Sequence, residues 1–85
     1  MAYTIQFLPA AAKQLEKLDA PIRRRIAAAI DGLAENPRPA GAKKLQGSDD
    51  LWRIRIGDYR VIYQIHDRRM LVVIVTIGHR SDIYR

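Results

Sequence analysis

Eighty-five residues, 48% of them apolar, are enough for one small domain with a core of its own and too apolar for a disordered tail. Fifteen Lys and Arg against nine Asp and Glu give a net charge of +6, and eleven of the fifteen are arginine, which points to a polyanionic partner. No cysteine is present, which excludes disulfides, thiolate metal sites and a cysteine nucleophile and suits the reducing cytosol.

Met1-Ala2-Tyr3-Thr4-Ile5 lacks the basic start and long apolar stretch of a signal peptide. Residues 2–7 alternate Tyr3, Ile5 and Phe7 against Ala2, Thr4 and Gln6, the pattern of a strand. Pro9 fits the first turn of a helix that runs to about Leu18, with Ala11, Leu15 and Leu18 on one stripe. Asp19 is a candidate N-cap for a second helix, with Pro21 in its first turn and Ile22, Ile26, Ile30 and Leu33 on one face. Asn36-Pro37 ends it, and the Pro- and Gly-bearing segment 36–48, with Lys43 and Lys44, reads as a loop. The period then changes to two. Leu51–Ile56, Tyr59–Ile65 and Met70–Ile77 are three strands, joined by Gly57-Asp58 and by a turn around Asp67-Arg68. The longest apolar run, Leu71 to Val75, is far short of the ~20 residues that cross a bilayer. The expectation is a soluble cytoplasmic protein with no membrane contact, a single domain over residues 1–85. Its fold class is α+β: an N-terminal strand, a helical hairpin, then a mostly antiparallel sheet with the helices packed on one face.

The first C-terminal hairpin is where chemistry concentrates. A two-residue loop opening on glycine suits a type II′ turn and fixes the register, so that Ile56 faces Tyr59, Arg55 faces Arg60, Ile54 faces Val61 and Arg53 faces Ile62. Opposed residues share a sheet face. Arg53, Arg55 and Arg60 therefore project together, and Trp52, Ile54, Ile56, Tyr59, Val61 and Tyr63 line the face the helices can bury. Arg55 opposite Arg60 is a destabilising like-charge pair, and no acidic residue of the hairpin shares the face. Such a patch is either a solvated basic surface or a site for an anion whose oxygens accept from several guanidiniums. The tail that follows, Gly78-His79-Arg80-Ser81-Asp82-Ile83-Tyr84-Arg85, is too polar to continue the core. His79, Arg80 and Tyr84 could lie against the exposed sheet face and complete a phosphodiester site. Each also has a plain reading: a surface imidazole, a partner for Asp82, and a ring packed at the sheet edge. Two histidines without clustered carboxylates make a poor metal site, and Gly57 and Gly78 form no phosphate-binding loop, so neither metal nor cofactor is expected.

Several stretches carry a family likeness: Ala2 to Phe7, Ala12 to Leu18, Asn36-Pro37-Arg38, and Lys43-Lys44-Leu45-Gln46-Gly47. Most specific are Trp52-Arg53-Ile54-Arg55-Ile56-Gly57-Asp58-Tyr59-Arg60-Val61-Ile62-Tyr63 and Gly78-His79-Arg80-Ser81-Asp82-Ile83-Tyr84. On these residues the chain resembles the RelE toxins, within a wider group that includes the ParE toxins, over nearly its whole length. The resemblance implies a RelE-like microbial RNase fold and a type II toxin. Such a toxin cleaves mRNA on the ribosome without metal, the 2′-hydroxyl attacking the adjacent phosphate, and so inhibits translation. It matches catalytic basic residues to Arg53 and Arg55, where some members carry lysines, and further catalytic residues to Arg60, Arg80 and Tyr84. Because arginine is a poor proton donor or acceptor near neutral pH, Arg53 and Arg55 are cast as charge stabilisers, Tyr84 as base or orienter and His79 as a possible acid. Lys43 and Lys44, with Arg53 and Arg55, are expected to contact RNA or the ribosome. The likeness further implies a cognate antitoxin, suited to a chain of +6, and a toxin–antitoxin complex that binds operator DNA through the antitoxin. The rival readings are a ParE-like DNA gyrase inhibitor that binds without cleaving, and a non-catalytic RNA-binding module.

Overall fold

Two prolines set where the helices begin. The computed structural model describes residues 2–48 and 50–79. In it Pro9 opens α1 (Pro9–Glu16), and Pro21 stands in the first turn of α2 (Ala20–Glu35), where a missing N–H costs nothing. Around them lie β1 (Thr4–Phe7), β2 (Lys43–Lys44), β3 (Leu51–Ile56), β4 (Tyr59–His66) and β5 (Leu71–His79), with a 3-10 turn at Asp67–Arg69 before the last strand. The five strands form one sheet in the order β1-β5-β4-β3-β2, parallel only between β1 and β5. This is the α+β architecture expected from the change of hydrophobic period.

The helices cover one face. Ala11, Ile26, Ile30 and Leu33 are buried against Ile54, Val61, Tyr63, Ile65, Val72, Ile74 and Ile77 of the sheet. The apolar stripe of α2 thus meets the alternating apolar positions of β3, β4 and β5, and truncating Ile26 or Ile30 to Ala would cost about 2–5 kcal/mol. Ile74 and Ile77 stand three residues apart yet are both buried, because the β4–β5 register shifts between Ile62 and Tyr63. Ile62 pairs with Thr76 and Tyr63 with Ile74, so Val75 is the extra residue of a bulge. Beyond Phe7 no strand among the described residues pairs with this edge of β5, and α1 covers it: Gln14 Oε1 accepts from the Ile77 N–H at 2.7 Å and from the Thr76 hydroxyl at 3.1 Å.

Four local expectations are corrected. The first helix ends at Glu16 rather than Leu18. Asp19 occupies the N-cap position of α2 and its carbonyl accepts from Arg23 N–H at 2.8 Å, but its side chain makes no capping bond. Lys43 and Lys44, read as loop, form a two-residue strand, because backbone pairing with β3 does not require an apolar pattern. The last strand continues through Gly78 to His79, since β4 still offers partners in Arg60 and Tyr59. No helix among the described residues is long and apolar enough to cross a membrane.

Candidate nucleic-acid interface

The hairpin that carries the arginines has the register its turn chemistry dictates. Gly57 has φ +60°, Asp58 does not share the positive φ, and Arg55 stands directly opposite Arg60, Arg53 opposite Ile62. That pattern of φ signs is the type II′ arrangement. Trp52, Ile54, Ile56, Tyr59, Val61 and Tyr63 all belong to or pack against the core. Strand alternation therefore turns Arg53, Arg55 and Arg60 to the helix-free face. On that face Arg55 is exposed, Arg53 half-buried and Arg60 only 9% exposed beside buried Ile62. Arg60 thus stands directly across from exposed Arg55, a like-charge cross-strand pair that a sheet by itself disfavours.

A neighbouring strand enlarges the patch. Lys43 pairs with Arg53 and so shares its face, whereas Lys44 pairs with Trp52 and lies on the other. The two lysines, grouped together from the sequence, are separated by the register of β2. Along the β3 edge Ala40, Gly41, Lys43, Arg53, Ile54 and Arg55 line a cleft of about 300 Å³. Arg53 Nη1 is buried and has no hydrogen-bond partner among the described residues. An orphaned cationic donor costs about 1–3 kcal/mol or more, which an anion in the cleft would offset.

The wall of this cleft is tied down from behind. Tyr63, fully buried, donates its hydroxyl to the Pro37 carbonyl at 2.8 Å, and burial pushes its phenol up to about 12. Arg38 then grips both carboxylate oxygens of Asp67, at 3.1 and 2.8 Å, and its guanidinium lies 5.2 Å from the centroid of the Trp52 ring. Tyr3 donates to the same carboxylate at 2.7 Å. Hydrogen bonds from Arg38 and Tyr3 hold the Asp67 carboxyl down at about 2. Asp67 in turn raises the Tyr3 phenol through their hydrogen bond. Residues 37 and 38 are thus anchored immediately before the segment that forms the cleft.

His79 does not join the arginines. It pairs with Tyr59, a residue of the helix-covered face, and their rings meet edge to face at 5.4 Å. Both line a second cleft, of about 540 Å³, with Gln14, Lys17 and Leu18 of the helical side. The expectation that His79 lies against the exposed face is therefore corrected: pairing of β5 through residue 79 turns it the other way. Arg80 and Tyr84 lie outside the described residues. Among the described residues no three His, Asp or Glu converge to hold a metal ion.

Residues 5–84 match the profile of a family described as ParE toxin of type II toxin-antitoxin system, parDE. The mRNA interferase toxin RelE of Escherichia coli K12 is 32% identical over 88 residues, covering 99% of this chain and 92% of that protein. The chain belongs to the RelE/ParE toxin superfamily. Within it this RelE-type toxin is also 34% identical over 86 residues to toxin RelG of Mycobacterium tuberculosis, covering 100% and 99% of the two chains. Among solved structures it resembles a chain of the intact E. coli RelBE toxin–antitoxin complex, with TM-score 0.81 and 30% identity over 92% of this chain and 96% of that one. It also resembles the archaeal RelE–RelB complex from Pyrococcus horikoshii OT3, at 0.84 and 31% over 95% and 98%. Sequence reading of this RelE-type toxin missed the Arg38, Asp67, Tyr3 and Tyr63 supports. Their partners stand 26 to 64 residues away in the chain, so no local spacing could announce them.

Proposed function

We propose that this RelE-type toxin is an mRNA endoribonuclease that acts in the cytoplasm on the ribosome and is held in check by a cognate antitoxin. The single observation that carries this reading is the convergence of Arg53, Arg55, Arg60 and Lys43 on the sheet face away from α1 and α2, with Arg53 Nη1 buried and without a hydrogen-bond partner among the described residues. Names of relatives support it: two of them are called mRNA interferase, and several solved neighbours are toxin–antitoxin complexes. Operator binding by such a complex would run through the antitoxin.

The chemistry follows from charge. A ribose 2′-hydroxyl loses its proton to a base, its oxygen bonds to the adjacent phosphorus, and the bond from phosphorus to the 5′-oxygen breaks as that oxygen takes up a proton. The products are a 2′,3′-cyclic phosphate and a 5′-hydroxyl. Two negative charges develop on the phosphorane, and Arg53, Arg55 and Arg60, with Arg80 from the C-terminal motif, supply the compensating cations without a metal ion. Tyr84 is assigned as base or orienter of the 2′-hydroxyl. The leaving oxygen takes its proton from solvent, and the base returns to solvent the proton it removed, since His79 stands on the other face. Lys43 holds a flanking phosphate. The ribosome would contribute alignment of the message, which is worth much of such a barrier. Arginine geometry suits in-line stabilisation of a phosphorane better than the rival, a non-cleaving gyrase inhibitor in the manner of ParE, requires. The test is end-group analysis of mRNA cut on ribosomes with magnesium held at the level ribosomes need and transition metals chelated. Cyclic or 3′-phosphate ends with 5′-hydroxyls are expected, and 5′-phosphate ends overturn the mechanism.

A further inference from the structure

The charges of α2 run against the helix. Arg23, Arg24 and Arg25 occupy its first two turns, and Asp31 and Glu35 stand toward its C-terminus, all of them exposed. No acidic residue lies in the first turn and no basic one in the last. The macrodipole favours the opposite placement at both ends, and Asp31 with Glu35 adds a like-charge pair at four-residue spacing. Helix stability therefore does not explain the three arginines. Nor does ion pairing: among the described residues none of them meets a carboxylate within 4 Å, although Glu16, Asp19 and Asp58 are carried at the same end of the domain. Among the described residues the Arg23 guanidinium donates to the Leu18 backbone carbonyl, at 3.1 Å, and to no carboxylate.

Their position links them to the arginine face. The Arg25 guanidinium nitrogens lie 3.7 and 3.9 Å from where a Cβ on Gly57 would stand, so Arg25 sits at the very turn whose strands carry Arg55 and Arg60. Arg25, on α2, thus stands at the turn that joins the strands of the arginine face, with Asp58 as the one acidic residue of that turn. We propose that Arg23, Arg24 and Arg25 form a second phosphate-binding surface, which grips the backbone of structured RNA while the arginine face engages the strand to be cut. This rests on the RNA-cleaving reading above and adds to it a docking site outside the chemistry. Arginine forks suit phosphate oxygens, and a polyanion that follows the turn would neutralise both clusters together.

The test is a triple variant, Arg23→Gln, Arg24→Gln and Arg25→Gln, with Arg68→Gln and Arg69→Gln as a control that removes exposed charge at the opposite turn. Binding to purified, mRNA-programmed ribosomes is titrated across salt concentrations, and single-turnover cleavage is measured separately at saturating ribosomes. The triple variant should bind ~10–100-fold more weakly near physiological salt, with a salt slope lower by roughly 2–3, while its saturated rate is unchanged. Its thermal stability should equal or exceed that of the wild type, since cations leave a helix N-terminus. A wild-type salt slope in the triple variant, or an equal loss in the control, overturns the proposal. So does wild-type ribosome binding with lost affinity for an acidic antitoxin segment, which would assign the surface to a protein partner. If the wild type binds with the steeper slope yet cuts nothing, the docking surface stands and the nuclease reading falls.

Discussion

Replacing Tyr63 by Phe removes one oxygen from a fully buried aromatic side chain and should weaken both fold and site. Tyr63 is fully buried, and its hydroxyl reaches across 26 residues of sequence to the Pro37 carbonyl at 2.8 Å. Pro37 is buried as well, so its carbonyl loses a donor in surroundings with little water to replace it. Leaving such an acceptor unmet costs ~1–3 kcal/mol, and for a domain this small that lowers the melting temperature by roughly 5–20 °C. The alkaline limb gives a second signature. Burial raises the Tyr63 phenol to about 12 in the folded chain, against ~10 when unfolded. Its contribution is therefore fully present below pH ~10 and is lost as pH climbs toward the folded value. Tyr63→Phe should remove that part of the alkaline loss and leave the part due to Tyr3, whose phenol is raised by Asp67. Because Pro37 and Arg38 precede the cleft residues Ala40, Gly41 and Lys43, the variant should also raise KM for message on ribosomes. Thermal and urea melts from pH 7 to 12, paired with cleavage kinetics, measure all three effects. An unchanged melting temperature with an unchanged alkaline limb would refute the anchoring role.

Arg55→Ala should relieve its cross-strand repulsion with Arg60 and hold or raise stability by ~0.2–1 kcal/mol, while lowering single-turnover cleavage ~100–1,000-fold; melts and quench-flow rates on one preparation would expose any parallel loss. Asp67→Asn should flatten the acid limb of stability. The ionised Asp67 contributes above its unfolded pKa of 3.8, and that contribution disappears as pH falls toward about 2, so a wild-type acid midpoint in the variant would contradict the network. His79→Gln should retain the wild-type rate and pH profile, as befits a residue on the helix-covered face. Tyr84→Phe, by contrast, should slow cleavage with little change in ribosome binding, and the reverse result would exchange their roles.

How much of this was readable in the sequence depends on the range of the interaction. The arginine face was legible because a two-residue glycine turn fixes its register and alternation does the rest: Arg53, Arg55 and Arg60 follow from Gly57. The α2 core stripe was legible for the same local reason, Ile26, Ile30 and Leu33 recurring at helical spacing. Lys43 and Lys44 were not separable, since a two-residue strand has no period of its own and only pairing with β3 assigns each a face. His79 was misplaced because the run from Gly78 onward is too polar to read as core strand, whereas β4 keeps β5 paired through Gly78 and His79. The bulge between Ile62 and Tyr63 left no mark either: Ile74 and Ile77 look out of phase until Val75 is seen to be extra.

Primer extension on a defined message in a purified translation system, with and without ribosomes, tests the central claim most directly. Wild-type toxin should produce discrete cuts within the message on ribosomes, and a variant carrying Arg53→Ala, Arg55→Ala and Arg60→Ala should produce none while still folding. Intact message under both conditions, together with inhibition of DNA gyrase by the same preparation, would contradict it.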